Sequence, residues 1–160
     1  MKLLSRLLPM LGVAALLLPA QDLKLGIIGT DTSHATAFPA IFHDASRADH
    51  VSGARVVAAF KGGSPDLPSS ADRVDKFAEE MKTKHNIRFV DRIADLCPLV
   101  DALLLESVDG RTHLSQFREA VRCGKPVFID KPLAASWKDA LEIAKIAREA
   151  KVPWFSTSSL

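Results

Sequence analysis

Residues 126–135 of the chain read Pro-Val-Phe-Ile-Asp-Lys-Pro-Leu-Ala-Ala, and this stretch decides the fold. Three bulky apolar residues predict a short buried strand, which the Asp-Lys-Pro step then ends before a helix. Open α/β sheets bind their ligands at the carboxyl ends of the strands. The stretch therefore predicts that the amine of Lys131 lies at a ligand-binding edge. A solvated lysine at the end of a strand is the alternative.

Apolar runs alternate with segments of helical period through the rest of the chain, which is typical of βαβ units. We predict six strands, at residues 23–29, 54–60, 88–90, 101–105, 127–129 and 152–155. Six strands joined by crossover helices predict an α/β fold, a Rossmann-like doubly wound parallel sheet in three αβα layers. The expected strand order is 3-2-1-4-5-6, in one domain from residue 22 to residue 158.

Two predicted helices carry marks of their ends. Ser136 followed by Asp139 is typical of a capping box at a helix start. Gly124 follows another apolar stripe, at the position where left-handed caps occur. Residues 61–70, Lys-Gly-Gly-Ser-Pro-Asp-Leu-Pro-Ser-Ser, are rich in turn formers and predict a flexible loop after the second strand.

The first twenty residues have the three-part layout of a secretory signal peptide. Lys2 and Arg6 precede an apolar run over residues 7–18, and Pro-Ala-Gln follows it. The run is too short for a membrane span, and twin arginines are absent. We therefore expect general export, cleavage after Ala20, and a periplasmic or secreted protein. An uncleaved anchor is the alternative.

Charge and cysteine usage narrow the class of partner. Removing residues 1–20 takes away two of the 21 basic residues and none of the 19 acidic ones, which leaves 19 of each sign. This balance argues against nucleic acid or an anionic membrane as partner. Cys97 and Cys123 form no close cluster with histidine, so no metal site is predicted. They could pair in an exported protein, although composition favours two buried free thiols.

The end of the first predicted strand has the frame of a dinucleotide-binding turn without its glycines. Residues 26–34 read Gly-Ile-Ile-Gly-Thr-Asp-Thr-Ser-His, where such a fold has its phosphate loop. Counting from Gly29, Asp31 replaces the second fingerprint glycine and His34 the third. A carboxylate at a helix start is favourable by about 0.3–1 kcal/mol, and the flanking hydroxyls can cap free amides. We expect this loop to satisfy its own donors.

Three features together resemble the glucose-fructose oxidoreductase, inositol dehydrogenase and rhizopine catabolism (Gfo/Idh/MocA) family, in its N-terminal nucleotide-binding domain. They are the first turn, the Asp-Lys-Pro step at residues 130–132, and the Gly-Lys-Pro-Val sequence at residues 124–127. The Lys-Pro pair is the most specific, because the family's mark there is Glu-Lys-Pro. His113 also falls where family members often carry a histidine. The resemblance covers residues 23–158.

This resemblance implies an NAD(P)-dependent oxidoreductase that acts on a sugar, polyol or related hydroxy compound. It implies that Lys131 is the catalytic-site residue that hydrogen-bonds substrate or nicotinamide ribose, and that a cis peptide bond precedes Pro132. Asp130 could orient the Lys131 amine or be solvated. The residues assigned to the cofactor site are Gly26, Gly29, Thr30, Asp31, Thr32, His34, Lys61, His113, Asp130 and Pro132.

The family's second half is absent from these 160 residues. In the family it supplies much of the substrate pocket, the usual catalytic Asp and His, and a possible surface for oligomers. We therefore expect the chain to be a fragment or a truncated reading frame. The alternative is a cofactor-free module on the same fold that binds a carbohydrate or another small ligand.

Two departures from the NAD-binding pattern predict weak or no NAD(P) binding by this chain in isolation. Asp31 brings a negative charge to the place that a pyrophosphate would occupy. The second predicted strand is followed by Lys61 instead of the acid that holds the ribose hydroxyls. Lys61 would suit the 2′-phosphate of NADP, or it is an ordinary surface lysine. Free nicotinamide cofactor is also scarce outside the cytoplasm.

The predicted topology collects polar side chains at one edge of the sheet. Asp31, His34, His113 and Lys131 all follow parallel strands or begin the next helix. We therefore expect these four residues to share one crevice, with Asp109 and Arg111 near them.

Overall fold

The computed structural model describes residues 21–157, so the predicted signal peptide lies outside the described residues. Six strands form one sheet in which every neighbouring pair is parallel. The strands are β1 (Leu23–Ile28), β2 (Ala54–Phe60), β3 (Arg88–Val90), β4 (Ala102–Leu105), β5 (Val127–Ile129) and β6 (Trp154–Ser156). Their order, β3-β2-β1-β4-β5-β6, confirms the predicted order and the Rossmann-like fold class.

Five α-helices and two 3₁₀ turns connect these strands. The helices are α1 (His34–His43), α2 (Pro68–Ala71), α3 (Val74–His85), α4 (Gly110–Ala120) and α5 (Trp137–Ala150). The 3₁₀ turns lie at Ile93–Leu96 and Val121–Cys123. Among residues 21–157, none of the helices has the length and apolarity that crossing a bilayer requires.

The helices divide between the two faces of the sheet. One apolar cluster joins Ala35 of α1 and Met81 of α3 to β1 and β2. The larger cluster joins Phe117 of α4 and Ile143 of α5 to β1, β4 and β5. Because both faces of the central strands are covered, those strands are almost continuously apolar, which is the pattern the sequence shows. The carboxyl edge of the sheet is not covered by these helices, and the loops that follow the strands meet there.

The predicted helix ends are present in the structure. Ser136 Oγ accepts a hydrogen bond from Asp139 N at 3.1 Å and begins α5. Gly124 has φ 63°, the left-handed conformation that was predicted. The last strand begins two residues later than predicted. Val152 N–H donates to Ala147 O and closes α5, and Pro153 has no N–H, so pairing starts at Trp154.

The two cysteines form a disulfide, and the expectation of free thiols is wrong. Cys97 and Cys123 have Cα atoms 4.9 Å apart and are separated by 26 residues in sequence. Cys97 directly follows the first 3₁₀ turn and Cys123 ends the second. Residue composition does not show how these two short turns approach each other, so it could not decide the pairing.

Removing this disulfide should lower the free energy of unfolding by about 3 kcal/mol, because the bond closes a loop between residues 26 positions apart in the unfolded chain. The Cys97→Ser, Cys123→Ser double variant tests this in urea unfolding followed by far-UV circular dichroism. Dithiothreitol should bring the parent protein down to the stability of the double variant and leave the variant unchanged. Equal stability of the parent and the variant under oxidising conditions would contradict the prediction.

Candidate functional site at the carboxyl edge

Asp31 in the first turn points into the protein. Its side chain is fully buried. Oδ1 accepts a hydrogen bond from Val108 N at 3.1 Å, and Oδ2 accepts one from Ser70 Oγ at 2.6 Å. The expectation that this charge occupies the pyrophosphate space is corrected, because two internal donors hold the carboxylate and tie the turn to the loops after β2 and β4.

Some donors of the first turn bind inside the protein, but the N–H groups of Asp31, Thr32 and Ser33 have no acceptor among residues 21–157, so the loop satisfies its own donors only in part, short of the expectation. The N–H and hydroxyl of Thr30 both donate to Lys61 O, at 2.9 and 3.1 Å. Thr32 Oγ1 accepts from His34 N at 3.3 Å. Gly29 has φ 91°, and a Cβ atom there would collide with Ser107. Glycine is thus needed for the approach of the loop after β4.

Ion pairs hold the loops on the β2 side of this edge. Arg111 donates to both carboxylate oxygens of Asp66 at 2.9 and 3.1 Å, and it also binds Asp109. The Arg111 guanidinium holds the pKa of Asp109 well below its usual range. Lys61 Nζ lies 2.9 Å from Asp75 Oδ1 in an exposed ion pair. The lysine considered for a 2′-phosphate therefore already has an anionic partner.

His34 and Asp130 meet across the sheet edge. His34 Nδ1 lies 2.6 Å from Asp130 Oδ2, a distance at which Nδ1–H donates to a carboxylate. The His34 side chain is 37% exposed and the Asp130 side chain is 7% exposed. Both line a cavity of about 260 Å³ whose apolar walls include Phe38 and Phe128. This pair presents a polar group to an open, largely apolar cavity.

Lys131 follows Asp130 and is half-buried. The Lys131–Pro132 peptide bond is cis, as the resemblance implied. Among residues 21–157, the Lys131 ammonium makes no hydrogen bond and no ion pair. Because His34 of the first turn touches the residue next to Lys131, the turn and the Lys-Pro step share one part of the edge, as predicted.

Glu106 was missed in the sequence analysis. It follows β4 directly and is 1% exposed, and neither carboxylate oxygen has a hydrogen-bond partner in the described part of the chain. Burial raises the pKa of Glu106 well above its usual value, and the nearby Asp130 charge adds to the effect, while Lys131 opposes it. Glu106, like Lys131, is a charged residue at the carboxyl end of a buried strand, and this position is a signal that could have identified it from the sequence.

His113 is fully buried and does not line the cavity. Its Nε2 lies 2.6 Å from Ser107 O and its Nδ1 lies 3.2 Å from Leu133 O. Burial lowers the pKa of His113, although both carbonyl contacts oppose this. A neutral ring donates one N–H, and the shorter contact identifies the Ser107 carbonyl as its acceptor. His113 ties the loop after β4 to the loop after β5.

The predicted four-residue crevice is therefore only partly formed. His34 contacts Asp130, the residue that precedes Lys131 in the chain. Asp31 and His113 are buried behind the edge, where they hold loops in place. A sequence pattern places a residue at an edge, but it does not say whether the side chain turns toward the crevice or toward the protein interior.

Comparison with known proteins agrees with this geometry. The sequence model of the oxidoreductase family with an NAD-binding Rossmann fold, Gfo/Idh/MocA, matches residues 23–157. This chain belongs to the Gfo/Idh/MocA family. The match covers the whole described sheet, including the first turn and the Lys-Pro step.

Relatives of the chain are longer than it is. A 1,5-anhydro-D-fructose reductase of Ensifer adhaerens is 35% identical over 86 residues, which are 54% of this chain and 25% of the reductase. The WlbA dehydrogenase of Chromobacterium violaceum, solved with NADH and UDP-GlcNAcA, superposes with a TM-score of 0.64 at 19% identity. That superposition covers 88% of this chain and 36% of the dehydrogenase.

A second solved structure has a similar fold. The MviM dehydrogenase of Clostridium difficile superposes with a TM-score of 0.60 at 22% identity, over 85% of this chain and 39% of that one. The chain thus spans between a quarter and two fifths of the length of these proteins. At this level of identity, the structural likeness establishes the Rossmann-like fold.

The Gfo/Idh/MocA family binds NAD, and the phosphate turn of this member departs from the usual arrangement at two points. Such a turn offers free backbone amides and glycines to the phosphates. Here Thr30 N–H is bound to Lys61 O, and Asp31 carries a side chain that links three loops. The roles assigned to Gly26, Gly29, Lys61 and Pro132 in holding a cofactor stay predictions.

Proposed function

We propose that this chain is the nucleotide-binding-type domain of an exported Gfo/Idh/MocA oxidoreductase that acts on a sugar, polyol or related hydroxy compound. One observation carries the proposal: at the carboxyl edge, Asp130 pairs with His34 and directly precedes Lys131, whose ammonium has no hydrogen bond or ion pair among residues 21–157. The names of the relatives support the substrate class, since they mention anhydrofructose and a UDP-linked sugar acid. The chain would form part of a longer protein.

The side chains of this edge suit a compound rich in hydroxyl groups. Lys131 offers three N–H donors to hydroxyl or carbonyl oxygens. His34 is held at Nδ1 by Asp130, while its Nε2 has no hydrogen bond to any residue between 21 and 157. An imidazole that is oriented by a carboxylate and open at its other nitrogen can act as a general acid or base toward a bound hydroxyl. We assign His34 this role toward a substrate hydroxyl.

Export is also part of the proposal. The Cys97–Cys123 disulfide supports it, because such bonds persist in oxidising compartments and are rare in the cytosol. The signal-like segment at residues 1–20 supports it independently. Fractionation of cells that produce the full chain should yield a mature form beginning at Gln21 outside the cytoplasm.

Lys131→Met should weaken binding of a hydroxylated ligand, since methionine keeps an unbranched side chain and removes the charge and all donors. Saturation-transfer NMR with a panel of sugars, polyols and sugar acids measures this directly. We expect at least one compound to bind the parent protein and its signal to fall at least about tenfold in the variant, the loss that a single charged hydrogen bond accounts for.

The matched control is Lys125→Met, at the other end of β5 and half-buried like Lys131. It should leave the signal unchanged. Binding that survives Lys131→Met, or that is lost equally in both variants, would contradict the assignment of this edge as the substrate site.

A cofactor-free binding module is the second candidate. The first turn favours it, because Asp31 replaces the second fingerprint glycine and the Thr30 N–H is already bound to Lys61 O. A module of this kind would bind the same hydroxylated compounds through Lys131 with no dependence on NAD(P). The two candidates differ in whether added NADH changes the affinity for the carbohydrate.

A further inference from the structure

Three potential metal ligands converge from three separate loops at the carboxyl edge. His34 begins α1, Glu106 follows β4, and Asp130 follows β5. One ligand atom from each residue lies within 4.8 Å of the other two. Sequence spacing could not predict this group, because its members are 72 and 24 residues apart along the chain.

Glu106 provides an independent sign that the group binds a ligand. Its two oxygens are buried without a hydrogen-bond partner in the described chain, and one of them lies within 4.8 Å of the His34 and Asp130 ligand atoms. A buried carboxylate without donors is costly, and either a proton or a cation relieves that cost. The second carboxylate, Asp130, increases the repulsion and with it the benefit of a cation. The protein thus holds two carboxylates together where only one has a partner.

We propose that His34, Glu106 and Asp130 bind one divalent transition-metal cation. One imidazole nitrogen and two carboxylate oxygens are a donor set that suits Zn²⁺ or Mn²⁺. Mg²⁺ prefers oxygen ligands alone, and no thiol is present to favour a softer metal, since both cysteines form the disulfide. This inference goes beyond the proposed function and does not depend on NAD(P) or on carbohydrate binding.

Binding requires the three ligand atoms, which lie within 4.8 Å of one another, to adjust around the cation. The 2.6 Å contact between His34 Nδ1 and Asp130 Oδ2 would exchange its shared proton for the metal. Ligand atoms about 2.0–2.2 Å from zinc lie roughly 3 Å or slightly more from one another, so the two side chains must separate by less than about 1 Å. His34 is partly exposed, which leaves it free to make this movement.

The open coordination positions would face the cavity. Three protein ligands leave room for water or for a hydroxyl or carbonyl oxygen of a bound compound. His34 and Asp130 both line the 260 Å³ cavity, whereas Glu106 lies behind them. Lys131 is the competing cation, because it is close enough to affect the Glu106 carboxyl. Removing the Lys131 charge should therefore strengthen metal binding.

The test is calorimetric titration of the EDTA-stripped, dialysed protein with ZnCl₂ and with MnCl₂. We expect one cation per chain, and at least about tenfold weaker binding in Glu106→Gln and in His34→Gln, as loss of a ligand requires. Lys131→Met should bind at least as tightly as the parent. If Glu106→Gln fails to fold by circular dichroism, His34→Gln at the exposed rim carries the same test.

Two controls keep the outcome specific. Glu142→Gln makes the same substitution on α5, on the other face of the sheet, and should leave binding unchanged. His85→Gln tests a separate pair of histidines, His43 and His85, whose ring centroids lie 5.7 Å apart. Absence of saturable binding, affinity unchanged in both ligand variants, or loss of binding in His85→Gln would overturn the proposal.

Discussion

Asp31→Ala should lower the free energy of unfolding by about 3–5 kcal/mol, one of the largest effects expected of any single substitution in this chain. The buried carboxylate accepts two hydrogen bonds, from Val108 N and Ser70 Oγ. Hydrogen bonds to a charged group contribute about 1.5–3 kcal/mol each, and the variant leaves the Val108 N–H buried without an acceptor. Urea unfolding followed by tryptophan fluorescence measures the loss, with Trp154 near Phe117 as a core probe.

The control for this prediction is Asp75→Ala. Asp75 also forms a carboxylate contact at 2.9 Å, to Lys61 Nζ, but it is exposed to solvent. Exposed ion pairs contribute little to stability, so this variant should unfold at nearly the parent's urea midpoint. Similar midpoints for Asp31→Ala and the parent would show that the buried contacts do not hold the first turn in place.

The arrangement of strands was predictable because each level of the sequence points to the same fold. Bulky apolar runs at β2, β3 and β5 are bounded by turn residues or charges, and the predicted bounds of these strands match the structure. Parallel strands with crossover helices allow few orders, so the order of the sheet followed from the count and spacing of the strands. The predicted start of β6 was two residues too early, because Val152 at the start of that apolar run caps α5 instead of pairing with β5.

The site was predictable only as a set of residues at an edge. The Lys131–Pro132 step and its cis bond followed from the family resemblance. The contact between His34 and Asp130 spans 96 residues, and no local pattern encodes it. Asp31 and His113 have neighbours deep in the protein, so burial decided their roles against the expectation. Glu106 was detectable in principle, since an acid directly after the buried β4 breaks the apolar run.

NADH and NADPH should bind the isolated chain with dissociation constants no tighter than about 1 mM, a binding free energy of only about −4 kcal/mol. The physical reason differs from the one that the sequence suggested. The Asp31 charge is buried, so it does not repel a phosphate from an open loop. Instead, the Thr30 N–H is already bound to Lys61 O, and the Asp31 carboxylate accepts hydrogen bonds that tie the turn to two other loops.

The experiment is a fluorescence titration of the parent, Asp31→Gly and Asp91→Gly with both cofactors. Asp31→Gly restores the fingerprint glycine but removes two internal hydrogen bonds and leaves Thr30 N–H engaged, so we expect weaker folding and no gain in affinity. Asp91→Gly, in the exposed turn after β3, controls for the general effect of a new glycine. Micromolar binding by the parent would refute the prediction and favour the oxidoreductase over the cofactor-free module. A gain confined to Asp31→Gly would instead identify Asp31 as the residue that closes the turn to phosphate.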